Sequence, residues 1–142
     1  MQGFLFCTGG VMSRKVARDW LLKLVFELTF QKESVELFDE FLNTPDISEE
    51  NKDFVTAIYT GVAENYDALC AELKGYVKGY NPDNMFKVDL AILLIALYEI
   101  KYYKQTDSKI IANESVELAK KYSTDKSFKF INGVVASIIK SE

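Results

Sequence analysis

An all-α domain is the fold class on which three features of this 142-residue chain converge. Only 2 prolines and 7 glycines are present, too few for the many tight turns of a sandwich or barrel. Apolar residues recur at i, i+3, i+4 and i+7 in one segment after another, which is the period of a helix face. Hydrophobic residues make up 49% of the chain, enough for one core, while the length is too short for two.

Residues 1–11 are apolar and glycine-rich without periodicity, and a second methionine follows at Met12. They read as a disordered leader or extension, leaving residues 12–142 as one helical domain. Ser13 suits the N-cap of a first helix in which Ala17, Leu21, Leu24 and Leu28 share a face, with Trp20 and Val25 beside them. A short helix is expected over residues 34–42, ended by Asn43-Thr44-Pro45. A longer pair follows from residue 49 to about 77, with a break near 65–68. Gly61 inside that pattern costs about 1 kcal/mol relative to alanine, which predicts close approach of another helix. Asn81-Pro82-Asp83 is a boundary, because proline fixes its own φ and turns the preceding residue away from helix. Residues 90–98 are nearly all apolar, the mark of a central helix surrounded by protein. Thr106-Asp107-Ser108 and Ser123-Thr124-Asp125 supply caps for two last helices. One runs from about 109 to 122; the other reaches about 140, with Ile131, Val134, Val135 and Ile138 on one face. The expectation is six or seven helices with no internal repeat.

Missing residues bound the chemistry. Histidine is absent, which removes Ser-His and Cys-His couples, the HExxH zinc helix and imidazole acid-base catalysis. No GxxxxGK[ST] or GxGxxG loop is present, and Gly9-Gly10 has no strand ahead of it. Cys7 and Cys70 stand in no metal-ligand spacing and fit a reducing cytoplasm. No run approaches the roughly 18 apolar residues of a membrane span. The acidic residues fall almost entirely on polar helix faces, where solvated charge is their ordinary use, and a catalytic carboxylate needs burial or a like-charge neighbour. Neither an enzyme nor a metal or cofactor is expected.

The net charge of −4 is unevenly spread. Residues 32–53 carry a net −6, whereas residues 14–23 and 120–129 each carry +3. Arg14, Lys15 and Arg18 open the first helix, where the macrodipole is already positive, so something should compensate. Two readings compete: Arg14 and Arg18, four apart on one face, form a phosphate fork with Lys15, or the cluster is solvated or internally paired. In the second patch Phe130 lies one turn from Lys126 and next to Lys129. That arrangement suits stacking of a single-stranded base, although the commoner use of a phenylalanine on an amphipathic helix is in the core.

Four blocks resemble the NusB transcription antitermination family: SRKVARDWLLKLVF at 13–26, VDLAILLIALYEI at 88–100, IANESVELAKKY at 111–122 and KFINGVV at 129–135. The resemblance covers essentially all of the chain after Met12. It implies two packed three-helix bundles and a non-enzymatic RNA-binding role. Family members pair with the ribosomal protein NusE, bind boxA-type single-stranded RNA in ribosomal RNA operons, and join the RNA polymerase antitermination complex. Carried onto this sequence, the RNA contacts are Arg14, Lys15, Arg18, Tyr76, Lys126, Lys129 and Phe130, and the partner contacts are Phe26 and Asp89. Val16, Leu90 and Leu94 depart from the family, standing where basic residues are usual. Fewer cations predict weaker, less salt-sensitive RNA binding and more dependence on the partner. A homodimer of the free protein, masking the RNA surface, stands as an alternative to a monomer. Other readings are a protein-interaction module that docks through its acidic half without RNA, and an accessory domain of an RNA-modifying enzyme.

Overall fold

The computed structural model describes residues 12–31, 35–79 and 81–142; the expected leader lies outside the described residues. All seven α-helices follow the apolar pattern, and no strand occurs among the described residues. Helix α1 (Arg14–Leu28) starts where expected, with the Val16 N–H donating to Ser13 Oγ at 3.2 Å. Helices α2 (Val35–Leu42), α3 (Glu49–Glu64) and α4 (Tyr66–Lys74) come next, α3 and α4 breaking at Asn65. A single 3-10 turn at Pro82–Asn84 replaces helix at the proline boundary. Helix α5 (Lys87–Tyr98) is the central element: Leu90 through Leu97 are all buried, and it packs against α1, α3, α4, α6 and α7. Helices α6 (Ser108–Tyr122) and α7 (Ser127–Lys140) form the most extensive pair. Helices α1 to α3 make one bundle and α5 to α7 the other, with α4 laid against α5.

Gly61 has the close neighbour its position predicts. A methyl group there would overlap the Tyr98 ring, so the side chain missing from α3 is the space into which α5 sets its tyrosine. Two details were not expected. Helix α5 ends in a π-turn, Glu99–Tyr103, closed by the Lys104 N–H on the Glu99 carbonyl, with Lys104 at φ 57°. Helix α7 has no side-chain N-cap, since Lys126 holds that position. Ser123, expected to cap it, turns its hydroxyl to α5 instead.

Candidate nucleic-acid interface

Helix α1 opens with three cations, and each is engaged by an acid from another element. Arg14 reaches Glu50 of α3 at 3.6 Å, and Lys15 reaches Glu114 of α6 at 3.7 Å. Arg18 makes a bidentate pair with Glu99 of the π-turn, Nη1 to Oε1 at 2.9 Å and Nη2 to Oε2 at 2.7 Å. Both side chains are buried, at 5% and 0% exposure. The Arg18 guanidinium also lies 4.9 Å from the centre of the Phe54 ring, and that of Arg14 lies on the same ring at 4.0 Å. Arg18, expected as an RNA contact, is engaged in this structure as an internal tie. Meeting a phosphate would require it to abandon a buried carboxylate, at a cost of about 3–5 kcal/mol. Arg14 and Lys15 remain accessible, and Phe54 and Glu50 orient the first of them.

Between α1 and α6 lies a hollow in which Lys15, Lys120 and Lys121 are matched by Asp19, Glu114 and Glu117. Lys121 donates to Asp19 at 3.0 Å. Burial alone would lower the Lys121 pKa, but its hydrogen bonds to Tyr122 and Asp19 outweigh that and raise it above the ordinary lysine value. Lys120 and Lys121 of the second basic patch therefore share this charge-balanced hollow with Lys15 of the first.

At the start of α7 the electrostatics differ. Lys126 and Lys129 are exposed, and among the described residues neither forms an ion pair. Phe130 is half-buried rather than sealed in the core. It lines an open hollow of about 280 Å³ with Asn84, Phe86, Asp89, Thr124, Lys126 and Ser127 among its walls. Phe86 is 65% exposed there, an aromatic the sequence reading missed. Lysine and aromatic side chains converge on a space able to take a planar group.

Asp89 and Tyr76, expected as a partner and an RNA contact, are both hydrogen-bonded within the chain. Asp89 is buried and accepts from Ser123 Oγ at 2.5 Å and from Ser127 Oγ at 2.9 Å. Its carboxylate is therefore satisfied within the chain, fastening the start of α7 to α5. Tyr76 follows the end of α4 and bonds Ser141 beyond the far end of α7, Oη to Oγ at 2.9 Å. A 14-residue helix spans roughly 20 Å, which separates Tyr76 from Lys126 and Phe130. Tyr76 belongs instead to a cluster with Lys101, whose Nζ lies 5.0 Å over its ring, and Glu72, which pairs with Lys101 at 3.0 Å. Phe26 is half-buried near the end of α1, edge-on to Phe30 at 5.1 Å between ring centres. Phe30 is 51% exposed and extends that apolar spot, another residue absent from the expected set.

A profile described as the NusB family matches residues 15–140. The chain belongs to the NusB family. The transcription antitermination protein NusB of Clostridium novyi (strain NT) is 35% identical over 133 residues, covering 92% of this chain and 100% of the relative. That of Acetivibrio thermocellus is 33% identical over 130 residues, covering 91% and 90%. Both are named for a role in transcription and not for a catalysed reaction. Among solved structures, NusB of T. maritima superposes with a TM-score of 0.81 at 24% identity over 93% of this chain and 94% of its own. A complex titled antitermination factors NusB and NusE with dsRNA contains a chain matching at TM-score 0.79 and 21% identity, over 91% and 97%. These likenesses confirm the helical NusB fold.

Leu90 and Leu94 of α5, read from the resemblance as standing where basic residues are expected, are buried at 3% and 0% exposure. Both sit in the apolar core, where a basic side chain would be buried without a counterion. Val16 likewise packs partly against the core.

Proposed function

We propose that this NusB-family protein is a cytoplasmic RNA-binding antitermination factor. It pairs with the ribosomal protein NusE on boxA-type single-stranded RNA of ribosomal RNA operons, within an RNA polymerase antitermination complex. The observation that carries the reading is the start of α7, where uncompensated Lys126 and Lys129 flank the half-buried Phe130 above an open hollow. Lysines neutralise phosphates, the aromatic ring offers a stacking surface, and the hollow admits a base. Arg14 and Lys15 extend the contact from α1 as solvent-facing cations that exchange an acidic partner for a phosphate. The complex of NusB and NusE with RNA among the structural neighbours supports the pairing. Phe26, with Phe30 beside it, is the apolar contact offered to the protein partner.

Titration of a boxA-like single strand, with and without NusE, tests the reading. Phe130→Leu should weaken binding by about 1–3 kcal/mol, and Lys126→Ala/Lys129→Ala should lower the salt dependence. Wild-type affinity in both variants would reject the site. A second reading, a protein-interaction module without RNA binding, draws on the acidic partners held by Arg14 and Lys15. It predicts NusE binding with no RNA affinity at any salt concentration.

A further inference from the structure

Helix α7 presents two aromatic residues near its start, and they do not face the same way. Phe128 and Phe130 are two positions apart, about 200° around a helix, so each turns to a different flank. Phe130 turns toward α5, whereas Phe128 turns toward α6 and lines an open trough of about 420 Å³ with Asn113, Lys120, Lys129 and Asn132. No carboxylate lines that trough. The hollow between α1 and α6 lines its three lysines up with three acids, and the hollow under Phe130 includes Asp89, held by Ser123 and Ser127, in its wall. Of these three depressions, only the Phe128 trough is lined by lysines without an acid, although Lys120 stands on the rim it shares with the α1–α6 hollow.

We propose that this trough is a second nucleotide position for single-stranded RNA, with Phe128 as the base platform, Lys120 and Lys129 as phosphate contacts, and Asn113 and Asn132 as hydrogen-bonding groups for the base edge. The proposal rests on the RNA-binding reading above and extends it across α7. Lys120 already lies over the Phe128 ring, Nζ 5.3 Å from its centre. It is exposed and, among the described residues, has no ion pair, so it is free to swing from the ring to a phosphate when a base arrives. Both asparagines are exposed, and among the described residues neither side chain has a hydrogen-bond partner; an amide carries both donors and an acceptor for a base edge. Lys129, exposed between the two aromatics, stands on the crest that a strand must cross to engage both. Helix α7 thus acts as a saddle, with one base held on each side and the backbone over Lys129.

The test uses the full chain and a fluorescein-labelled single-stranded RNA of about 12 nucleotides, titrated over a range of salt concentrations. Phe128→Leu, with its melting temperature checked against wild type, should weaken binding roughly 5- to 150-fold, the effect of one lost base stack. Lys120→Ala should reduce the slope of log K against log salt by about 0.7. An RNA carrying 5-iodouridine should crosslink to Phe128 as well as to Phe130. Asn113→Ala/Asn132→Ala, which touches only exposed side chains, should weaken binding without changing the slope. If Phe130→Leu weakens binding while Phe128→Leu, Lys120→Ala and the asparagine pair all bind as wild type, the RNA adaptor stands and the second position falls. If wild type binds no RNA, or the trough takes an acidic peptide in its place, both readings fall.

Discussion

The segment that opens α1, residues 14–23, and the segment that runs from the end of α6 into α7, residues 120–129, carry the same local charge, yet the two clusters do different work. Residues 14–23 and 120–129 each carry +3. In α1 that charge meets acids from other elements: Arg18 is buried against Glu99 and shares the Phe54 ring with Arg14, while the accessible Arg14 and Lys15 reach Glu50 and Glu114. At α7, Lys126 and Lys129 face solvent beside a half-buried aromatic. A local charge count therefore says nothing about which cations are available. Availability depends on acids brought in from elsewhere in the chain, and Arg18 and Glu99 are 81 positions apart.

The sharpest way to break this comparison is to remove one half of the internal pair. Glu99→Ala or Arg18→Ala should each destabilise the fold by about 3–5 kcal/mol in urea unfolding, because each leaves a buried charge without its counterion. Replacing both, as Arg18→Met/Glu99→Leu, should restore most of the loss. If Arg18→Ala leaves stability unchanged and weakens only RNA binding, Arg18 is a surface contact after all and the inward assignment of α1 collapses.

The next largest effect is expected at the other helix. Asp89 fastens the start of α7 through the hydroxyls of Ser123 and Ser127, so Asp89→Ala takes the carboxylate acceptor from one buried and one half-buried hydroxyl. A loss of about 2–3 kcal/mol is expected. RNA affinity should fall with it, since Lys126 and Phe130 depend on that anchor for their placement. Fastening α7 from α5, in place of a local side-chain cap, is what makes this residue a positioning group. A drop in NusE affinity with unchanged stability would instead return Asp89 to the partner surface.

What the sequence disclosed and what it concealed follow the same division between near and far. The helices were legible because period, caps and breakers act within a few residues: Ser13 caps α1, Asn65 separates α3 from α4, and Gly61 marks the approach of Tyr98. The identity of Lys126, Lys129 and Phe130 as a cluster was legible for the same reason. The π-turn at Glu99–Tyr103 and the burial of Arg18 and Asp89 were not, because each depends on groups from other helices. A buried acid leaves a faint signal, since Asp89 and Glu99 bound the most apolar stretch of the chain. Which flank of α7 each phenylalanine takes was also hidden, because the stripe of Ile131, Val134, Val135 and Ile138 fixes the buried face without naming its neighbours.

In RNA titrations the two helices should separate by salt dependence. Lys126→Ala/Lys129→Ala removes two uncompensated cations and should lower the slope of log K against log salt by about 1.4. Arg14→Ala/Lys15→Ala should lower it by less, because Glu50 and Glu114 already neutralise part of that charge in the free protein. Equal slopes for the two variants would remove the distinction between the helices.

The smallest expected effect lies away from both clusters, where Tyr76 meets Lys101 and Glu72. Burial alone would raise the Glu72 pKa, but hydrogen bonds from Tyr102, at 2.6 Å, and from Lys101 outweigh it and hold the carboxyl below its ordinary value. A depressed carboxylate stabilises the folded state above its unfolded pKa, and that contribution is lost as pH falls through the folded value. Glu72→Gln should therefore cost about 0.5–1.5 kcal/mol at pH 7, and the difference from wild type should shrink toward zero as the medium becomes acidic enough to protonate Glu72 in the folded chain. Because this cluster sits at the opposite end of α7 from Lys126, RNA affinity should not change in Glu72→Gln or Tyr76→Phe. A weakened RNA complex in Tyr76→Phe would mean that the strand runs the full length of α7, and the contrast drawn between its two ends would have to be abandoned.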